Sequence, residues 1–213
     1  MSNVKINTSK EPIRLFKSEF LEFFTHVSPV AVLVIWLPVV GYFIYRSLAV
    51  ESTSIYVLLL GLLIGVFIWT LAEYLLHRFV FHFPAKTDWQ KRLAFLFHGI
   101  HHEQPRIKTR LVMPPALSIP LALLFYSLFV LVFKTILQVP MWLSPVFAGF
   151  ILGYIAYDMI HYSTHHIQMK KGYFRVLRQQ HMHHHFQTPD KRFGVSSPFW
   201  DYVFGTMPKE TSK

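Results

Sequence analysis

The sequence has no cysteine and is short of acidic residues. Its 213 residues include 11 Asp and Glu against 21 Lys and Arg, together with 13 histidines. The absence of cysteine excludes disulfide frameworks, iron–sulfur clusters, thiolate-ligated haem and a cysteine nucleophile. Histidine is therefore the abundant side chain that can bind a metal ion.

Charged residues make up only 15% of the chain, whereas hydrophobic residues make up 53%. This balance is unusual for a soluble domain and predicts one compact membrane unit. Beside long apolar runs, the net charge of +10 indicates cytosolic loops rather than nucleic-acid binding. Residues 1–20 contain no apolar stretch followed by a small-residue cleavage site, so we expect no cleaved signal peptide.

Four apolar runs are each near the ~20 residues that a helix needs to cross the hydrocarbon core. They comprise residues 29–45, 55–76, 116–133 and 142–160. The first and third runs are short, which leaves tilt, local bilayer thinning or incomplete crossing open. We expect an all-α integral membrane protein with four transmembrane helices, forming one membrane domain over residues 29–206 and a frayed tail over 207–213.

Residues 1–28 are predicted to form a cytosolic or interfacial segment. Within it, residues 12–25 place Ile13, Phe16, Phe20 and Phe23 on one face of a helix, as in a helix lying on the membrane. Seven Lys and Arg lie in residues 77–114, whereas the connections 46–54 and 134–141 hold one each. Both termini and the middle loop are therefore predicted to be cytosolic.

Four histidine clusters lie at helix ends or in loops on that predicted cytosolic face. They are HRFVFH (His77, His82), HGIHH (His98, His101, His102), HYSTHH (His161, His165, His166) and HMHHH (His181, His183, His184, His185). One such cluster alone is equally well explained as an interfacial belt or a solvated basic face. Four of them on separate segments predict a metal centre in a helical cap.

Spacing suggests how these histidines share metal ions. Helical neighbours three or four apart face the same way, whereas His77 and His82, five apart, diverge by about 140° on a regular helix. We therefore expect two metal ions, with the doublets at 101–102 and 184–185 pointing at both. The hypothesis assigns His77, His98, His101, His181 and His184 to one ion, and His82, His102, His161, His165 and His185 to the other. His166 and His183 are left as outer or solvent-facing residues, and His26 as an interfacial one.

Imidazole ligands suit zinc, copper, iron or nickel, and they exclude magnesium and calcium. Glu73 precedes His77 by four residues and Asp158 precedes His161 by three. Each carboxylate is expected to accept the second ring N–H of its histidine, with a salt bridge to Arg78 or a lysine as the alternative. A metal at the membrane surface would reach a lipid C–H bond, and hydroxylating such a bond requires a redox metal and dioxygen. Iron is the expected metal.

The sequence resembles the fatty acid hydroxylase superfamily, and within it the fatty acid 2-hydroxylases that act on sphingolipid acyl chains. The resemblance covers residues 55–206 and rests on EYLLHRFVFHF (73–83), HGIHH (98–102), RLVMPP (110–115), YDMIHYSTHH (157–166), HMHHH (181–185) and FGVSSPFWDYVFGT (193–206). Sterol desaturases, sterol methyl oxidases and carotenoid hydroxylases share the histidine spacing. RLVMPP and the last motif are narrower and favour the 2-hydroxylases.

The resemblance implies a dioxygen-dependent monooxygenase that inserts one oxygen atom at C-2 of an acyl chain. The ten histidines assigned above would hold two iron ions, with zinc possible in a purified sample. Many eukaryotic relatives carry a fused haem domain before the first span, and the N-terminal segment here is too short for one. A separate haem protein, ferredoxin or reductase is thus the expected electron donor. The protein itself is expected in a bacterial inner membrane or the endoplasmic reticulum. Substrate-binding candidates are Arg110, Tyr157, Tyr162, Trp200 and Asp201, although Arg110 is expected rather to reach lipid phosphate.

Three other functions stay open. A hydroxylase or desaturase of a sterol, carotenoid or other lipid would use the same centre. A metal transporter or sensor would need ionisable residues near the centres of its spans, where the third run offers only Ser118 and Ser127. A bis-histidine haem protein would need facing histidines within the spans.

Overall fold

The computed structural model describes residues 11–208. This part of the chain is helical and contains no β-strand. The α-helices are α1 (Glu19–Phe23), α2 (Pro29–Tyr45), α3 (Ile55–Leu75), α4 (Asp88–Ala94), α5 (Ile100–Glu103), α6 (Pro115–Val130), α7 (Leu143–His166), α8 (Gly172–Phe186) and α9 (Phe199–Val203). The predicted all-α architecture is confirmed.

Four stretches are long and apolar enough to cross a membrane, and the chain is a multi-pass membrane protein. They are Pro29–Val50, Ile55–Phe81, Lys108–Ile136 and Pro140–His166, with 22 to 29 residues each. The first three run beyond their α-helices into π-helical turns at Arg46–Val50, Leu76–Phe81 and Leu131–Ile136. The first and third spans are thus long enough to cross, which the length of their apolar runs left open.

Local sequence explains where the helices begin. Ser28 precedes Pro29 at the start of α2, and its hydroxyl accepts the Ala31 N–H; Ser54 caps α3 in the same way. Serine at this position pairs an N–H that the helix itself leaves free, and proline suits the first turn because it has no N–H to lose. Thr87 and Gln90 form a reciprocal capping box at α4.

Helix α7 is the centre of the bundle. In the most apolar stretch of its span 78% is buried inside the protein, whereas 28% or less is buried in each of the other three spans. Helices α2, α3 and α6 all pack against α7. Aromatic rings fill these contacts: Trp36 and Trp69 lie 5.5 and 5.3 Å from the Tyr154 ring, each nearly edge to face. Such pairs favour one packing arrangement in addition to the area that they bury.

Two glycines allow α3 and α7 to touch backbone to backbone. A Cβ atom added at Gly65 would lie 2.1 Å from the Val146 carbonyl oxygen, and one added at Gly149 would lie 2.2 Å from that of Leu62. Small residues at such contacts are the usual means of close helix packing in membranes, where helices have no hydrophobic drive to associate. This contact holds the two helices whose C-terminal ends carry His77 and His161.

The predicted interfacial helix over residues 12–25 is wrong in length, because only Glu19–Phe23 is helical. The N–H groups of Leu15 and Phe16 donate to the Glu22 carboxylate at 2.9 and 2.8 Å, which fixes the preceding segment in a non-helical path. Phe20 and Phe23 remain 71% and 72% exposed, as expected for side chains at a membrane surface.

The tail prediction covers residues 207–213, of which 209–213 lie outside the described residues. Met207 is tied down, since its N–H donates to the Asp201 carbonyl at 3.0 Å.

Candidate metal centre

Ten histidines converge where α3 and α7 end. His77 and His82 lie in and just after the π-helical turn that extends α3. The others lie in the turn before α5 (His98), in α5 (His101, His102), in the last turns of α7 (His161, His165) and in α8 (His181, His184, His185). These are the ten residues that the sequence singled out.

The ten residues form two groups, each with one ring nitrogen per residue within 4.8 Å of the others. We call them the first group (His77, His82, His98, His102, His184) and the second group (His101, His161, His165, His181, His185). His166 and His183 belong to neither. The groups adjoin: the rings of His102 and His185, one from each, stack with centroids 4.1 Å apart.

Nε2 atoms crowd together inside each group. In the first, Nε2 of His77 lies 3.1 Å from that of His98. In the second, Nε2 of His101 lies 2.9 Å from those of both His161 and His185. A neutral imidazole carries one N–H, so five converging nitrogens cannot all be paired with one another. A metal cation would satisfy every lone pair, and this donor set therefore fits two metal ions of the imidazole-binding kind.

Backbone carbonyls set the tautomer of two rings. Nδ1 of His77 lies 2.6 Å from the Phe193 oxygen, and Nδ1 of His184 lies 2.7 Å from the Lys191 oxygen. A carbonyl only accepts, so each Nδ1 carries the proton and each Nε2 keeps its lone pair for a metal.

Burial keeps uncharged the seven histidines of the two groups that lie outside the spans. It lowers the pKa of His82 to about 2 and that of His184 to about 4. Burial and then the neighbouring histidines also lower the pKa well below its usual value in a further five residues: His98, His101, His102, His181 and His185. Neutral imidazole is the form that binds metals.

The grouping expected from spacing is wrong at four positions. His82 and His102 belong to the same group as His77, whereas His101 and His181, which were expected there, belong to the other group. His77 and His82 share the first group because the turn Leu76–Phe81 is π-helical, and its i to i+5 repeat brings residues five apart onto one face. The expected divergence applied to a regular α-helix only. The adjacent pairs at 101–102 and 184–185 do divide between the two groups.

The expected role of Glu73 and Asp158 is also wrong. Glu73 accepts the N–H of Val195 at 2.6 Å and both the N–H and the hydroxyl of Ser196. Asp158 accepts the Met113 N–H at 3.2 Å. Among the described residues, neither bonds to a histidine ring. Both instead accept backbone N–H groups and so fix loops beside the histidines, since a buried carboxylate needs hydrogen-bond partners. The suggested partner Arg78 donates to the Tyr74 hydroxyl.

An apolar cavity of about 330 Å³ reaches the histidines. Its walls come from the N-terminal segment, the turn between α4 and α5, the start of α5, the loop before α6 and the first turn of α6. It touches His98 of the first group and His101 and His161 of the second. Leu21 and Phe24 line it while 48% and 42% exposed, so the cavity has an outward side at α1. Its volume lies within the range of small-molecule sites.

Two of the five substrate-binding candidates, Arg110 and Tyr157, line this cavity. Arg110 does not reach out to phosphate as expected: it is 7% exposed and pairs with Glu22 at 2.5 Å. Tyr157 stacks on the His161 ring with centroids 5.6 Å apart.

The other three candidates lie elsewhere. Trp200 donates to the Thr70 hydroxyl at 2.9 Å, and Tyr162 packs on the ring of His166. Asp201 is fully buried and accepts the N–H groups at 193 and 194, each at 2.8 Å. It therefore shapes the loop whose Phe193 carbonyl holds His77.

Sequence reasoning missed a polar cluster at the cavity wall. His26, expected to be a simple interfacial residue, lies 2.7 Å from the Thr109 hydroxyl and 3.0 Å from Nη2 of Arg110. Glu22 completes the cluster. Only the co-occurrence of Glu22 and His26 at i,i+4 in an otherwise apolar stretch could have indicated it.

The comparisons with known proteins agree with this geometry. The sequence model of the family "Fatty acid hydroxylase" matches residues 62–206. The chain belongs to the fatty acid hydroxylase family. Dihydroceramide fatty acyl 2-hydroxylase FAH1 of Arabidopsis thaliana is 40% identical over 200 residues, which are 94% of this chain and 82% of that protein.

Fungal members of the family are also similar. Ceramide very long chain fatty acid hydroxylase SCS7 of Saccharomyces cerevisiae is 41% identical over 88% of this chain and 47% of its own length. A solved structure described as full-length scs7p, with only the hydroxylase domain visible, superimposes with a TM-score of 0.79 at 38% identity, covering 91% of this chain and 72% of that one. This chain thus shares its helical fold with a solved hydroxylase domain of the family.

Proposed function

We propose that this protein hydroxylates C-2 of a fatty acyl chain in a membrane lipid, using two iron ions and dioxygen. The observation that carries the proposal is the apolar cavity, which leads from the exposed side of α1 to histidines of both groups. An acyl chain matches its apolar walls, and the reacting carbon would lie at the histidine end. The relatives named as fatty acyl 2-hydroxylases support C-2 as the position attacked.

The ten histidines would hold the metal ions. Bound iron supplies the redox chemistry with dioxygen that side chains lack. The protein's own part is to fix the ligands and to keep the site dry: the Phe193 and Lys191 carbonyls hold His77 and His184, while Leu111 and Met113 pack against the cavity. Excluding water limits side reactions of an oxidising centre.

Sidedness and the electron source belong to the same proposal. Basic residues in the connections at 77–114 and beyond 165 favour a cytosolic location for the histidine centre. The inner membrane of a bacterium or the endoplasmic reticulum would provide that face. Electrons would come from a separate haem protein, ferredoxin or reductase.

Lipid mass spectrometry tests the proposal. The chain is expressed with an electron-donor system under ¹⁸O₂, beside a His101→Ala, His184→Ala variant that loses one ligand from each group. We expect one labelled oxygen at acyl C-2, absent in the variant. A label at another position, or a new double bond, would place the protein in a sister activity; an unlabelled lipid pool from an iron-loaded protein would contradict the proposal.

A further inference from the structure

Arg110 lines the cavity and carries two buried hydrogen-bond donors that have no partner among the described residues. Its side chain is 2% exposed, and Nη2 takes both of its partners, Glu22 Oε1 at 2.5 Å and His26 Nε2 at 3.0 Å. Nε and Nη1 are buried without a partner among the described residues. A buried donor left unpaired costs about 1–3 kcal/mol, more when it is charged, so binding of an acceptor that reaches these two atoms is energetically favoured.

The charge of Arg110 is already balanced. Burial alone would raise the pKa of Glu22, but the N–H groups of Phe16 and Leu15 and the Arg110 charge outweigh it and lower that pKa, so the carboxylate stays ionised. Burial and the Arg110 charge lower the pKa of His26, which leaves that ring neutral. The cluster of Glu22, His26 and Arg110 therefore has no net charge.

Arg110 connects this cluster to the cavity that reaches the histidines. Arg110 lines this cavity together with His98, His101 and His161. Three residues further on, the Met113 N–H is held by Asp158, one helical turn before His161 in α7. The loop that carries Arg110 is thus fixed relative to the metal centre, as a residue that positions a substrate requires.

We propose that Arg110 is a positioning residue that donates its free N–H groups to the acyl carbonyl oxygen of the substrate, and that Glu22 makes the site prefer an uncharged carbonyl over a free carboxylate. This rests on the proposed 2-hydroxylase function. C-2 is bonded to the carbonyl carbon, so holding the carbonyl oxygen places C-2, and no other chain carbon, beside the histidines.

Charge explains the preference. An amide or ester carbonyl accepts the N–H groups of Arg110 and leaves the cluster neutral. A fatty acid carboxylate would add a second negative charge beside Glu22 in a buried site, and like charges there are strongly unfavourable. The substrate class that fits is therefore an acyl chain in amide or ester linkage.

The test uses the metal-loaded protein with its electron-donor system and two substrates of equal chain length, an N-acyl sphingoid base and the free acid. The variants are Glu22→Gln, which keeps the shape and an oxygen acceptor but removes the charge, and Arg110→Lys, which keeps the charge but loses the fork of donors. Arg106→Gln, an exposed arginine of the same loop, is the matched control. Metal content and the position of the hydroxyl group are measured for each.

Glu22→Gln should raise the ratio of free-acid to amide turnover by roughly tenfold or more, because the free carboxylate then meets an unbalanced guanidinium. Arg110→Lys should raise KM and spread the hydroxyl from C-2 to neighbouring carbons at unchanged metal content. Arg106→Gln should match wild type. A merely structural role would lower all products together and leave both ratio and position unchanged.

An unchanged substrate ratio in Glu22→Gln would overturn the inference, and so would hydroxylation confined to C-2 in Arg110→Lys. If Arg110→Lys loses metal, the inference is judged by the ratio of free-acid to amide turnover in Glu22→Gln alone. If wild type hydroxylates neither substrate at C-2, the proposed function fails; if wild type does and the variants behave like Arg106→Gln, only the inference about Arg110 fails, and water fills those donors instead.

Discussion

At the scale of single residues, the histidine pattern carried most of the information about the site. The structure brings together the ten histidines that spacing singled out. They lie at the ends of helices that pack side by side, and this packing brings their imidazoles into one place. Their division into groups could not be read from spacing, since it depends on whether the helix around 76–81 is α or π. Local propensity does not decide between the two helix types, because tertiary context routinely overrides it.

The grouping predicts metal content in paired variants. His98 and His102 share the first group, whereas His101 belongs to the second. His98→Ala, His102→Ala should therefore retain about one ion per chain, and His98→Ala, His101→Ala should lose both, since a site that lacks one or two of its ligands binds its metal far more weakly. Elemental analysis of the purified protein measures this, with His183→Ala as control. If instead His98→Ala, His102→Ala lost both ions and His98→Ala, His101→Ala kept one, the grouping expected from spacing would be supported.

Glu22 predicts a dependence of stability on pH. Its pKa lies below the ordinary 4.5, despite the opposing effect of burial, because of the N–H groups at 15 and 16 and the Arg110 charge. A carboxyl whose pKa is lower in the folded state stabilises the protein above the unfolded value, and this contribution is lost as pH falls through the folded pKa. Acidification below pH 4.5 should thus lower the melting temperature of wild type more than that of Glu22→Gln. If the melting temperatures of the two proteins fell in parallel as pH decreases, this contribution of Glu22 would be excluded.

At the scale of elements, the spans were predictable and the N-terminal helix was not. Apolar runs located the starts of α2, α3, α6 and α7 to within one residue, because a membrane requires continuous apolar sequence. The periodicity of residues 12–25 resembled a helix equally well, but Glu22 takes the N–H groups of Leu15 and Phe16 from the backbone pattern. Such contacts between side chain and backbone leave no periodic signal.

The contact between α3 and α7 predicts sensitivity at Gly149. Gly149→Ala would place a methyl group 2.2 Å from the Leu62 carbonyl oxygen and force the helices apart. Overpacking of this kind destabilises by about 1–3 kcal/mol, and it should also lower the metal content because the two helices carry ligands of both groups. Gly41→Ala in α2 is the control, since nothing lies within 4 Å of the added carbon. Equal melting temperatures for the two variants would contradict the packing account.

At the scale of the whole molecule, the cavity is the feature that no single segment predicts. Its walls come from residues far apart in the sequence, among them Leu15, Leu96 and Leu117. The sequence placed the histidines and the spans, yet the space between them follows from how the N-terminal segment folds back. That fold depends on bonds such as the one from the Val27 N–H to the Thr109 carbonyl at 2.8 Å.

Filling the cavity should stop turnover without removing metal. Leu117→Trp adds bulk to the wall of the cavity, whereas Leu123→Trp on the same helix faces outward at 62% exposure. We expect the first variant to lose most acyl hydroxylation while keeping its metal, and the second to resemble wild type. Lipid mass spectrometry and elemental analysis together measure this. Equal activity in the two variants would mean that the acyl chain enters elsewhere.

The most direct test of the account is anomalous scattering at the iron edge from crystals of the iron-loaded protein with a bound acyl lipid. The account predicts two adjacent peaks, one within His77, His82, His98, His102 and His184 and the other within His101, His161, His165, His181 and His185. Lipid density should fill the cavity, with its carbonyl at Arg110. A single peak, or lipid density outside the cavity, would contradict it.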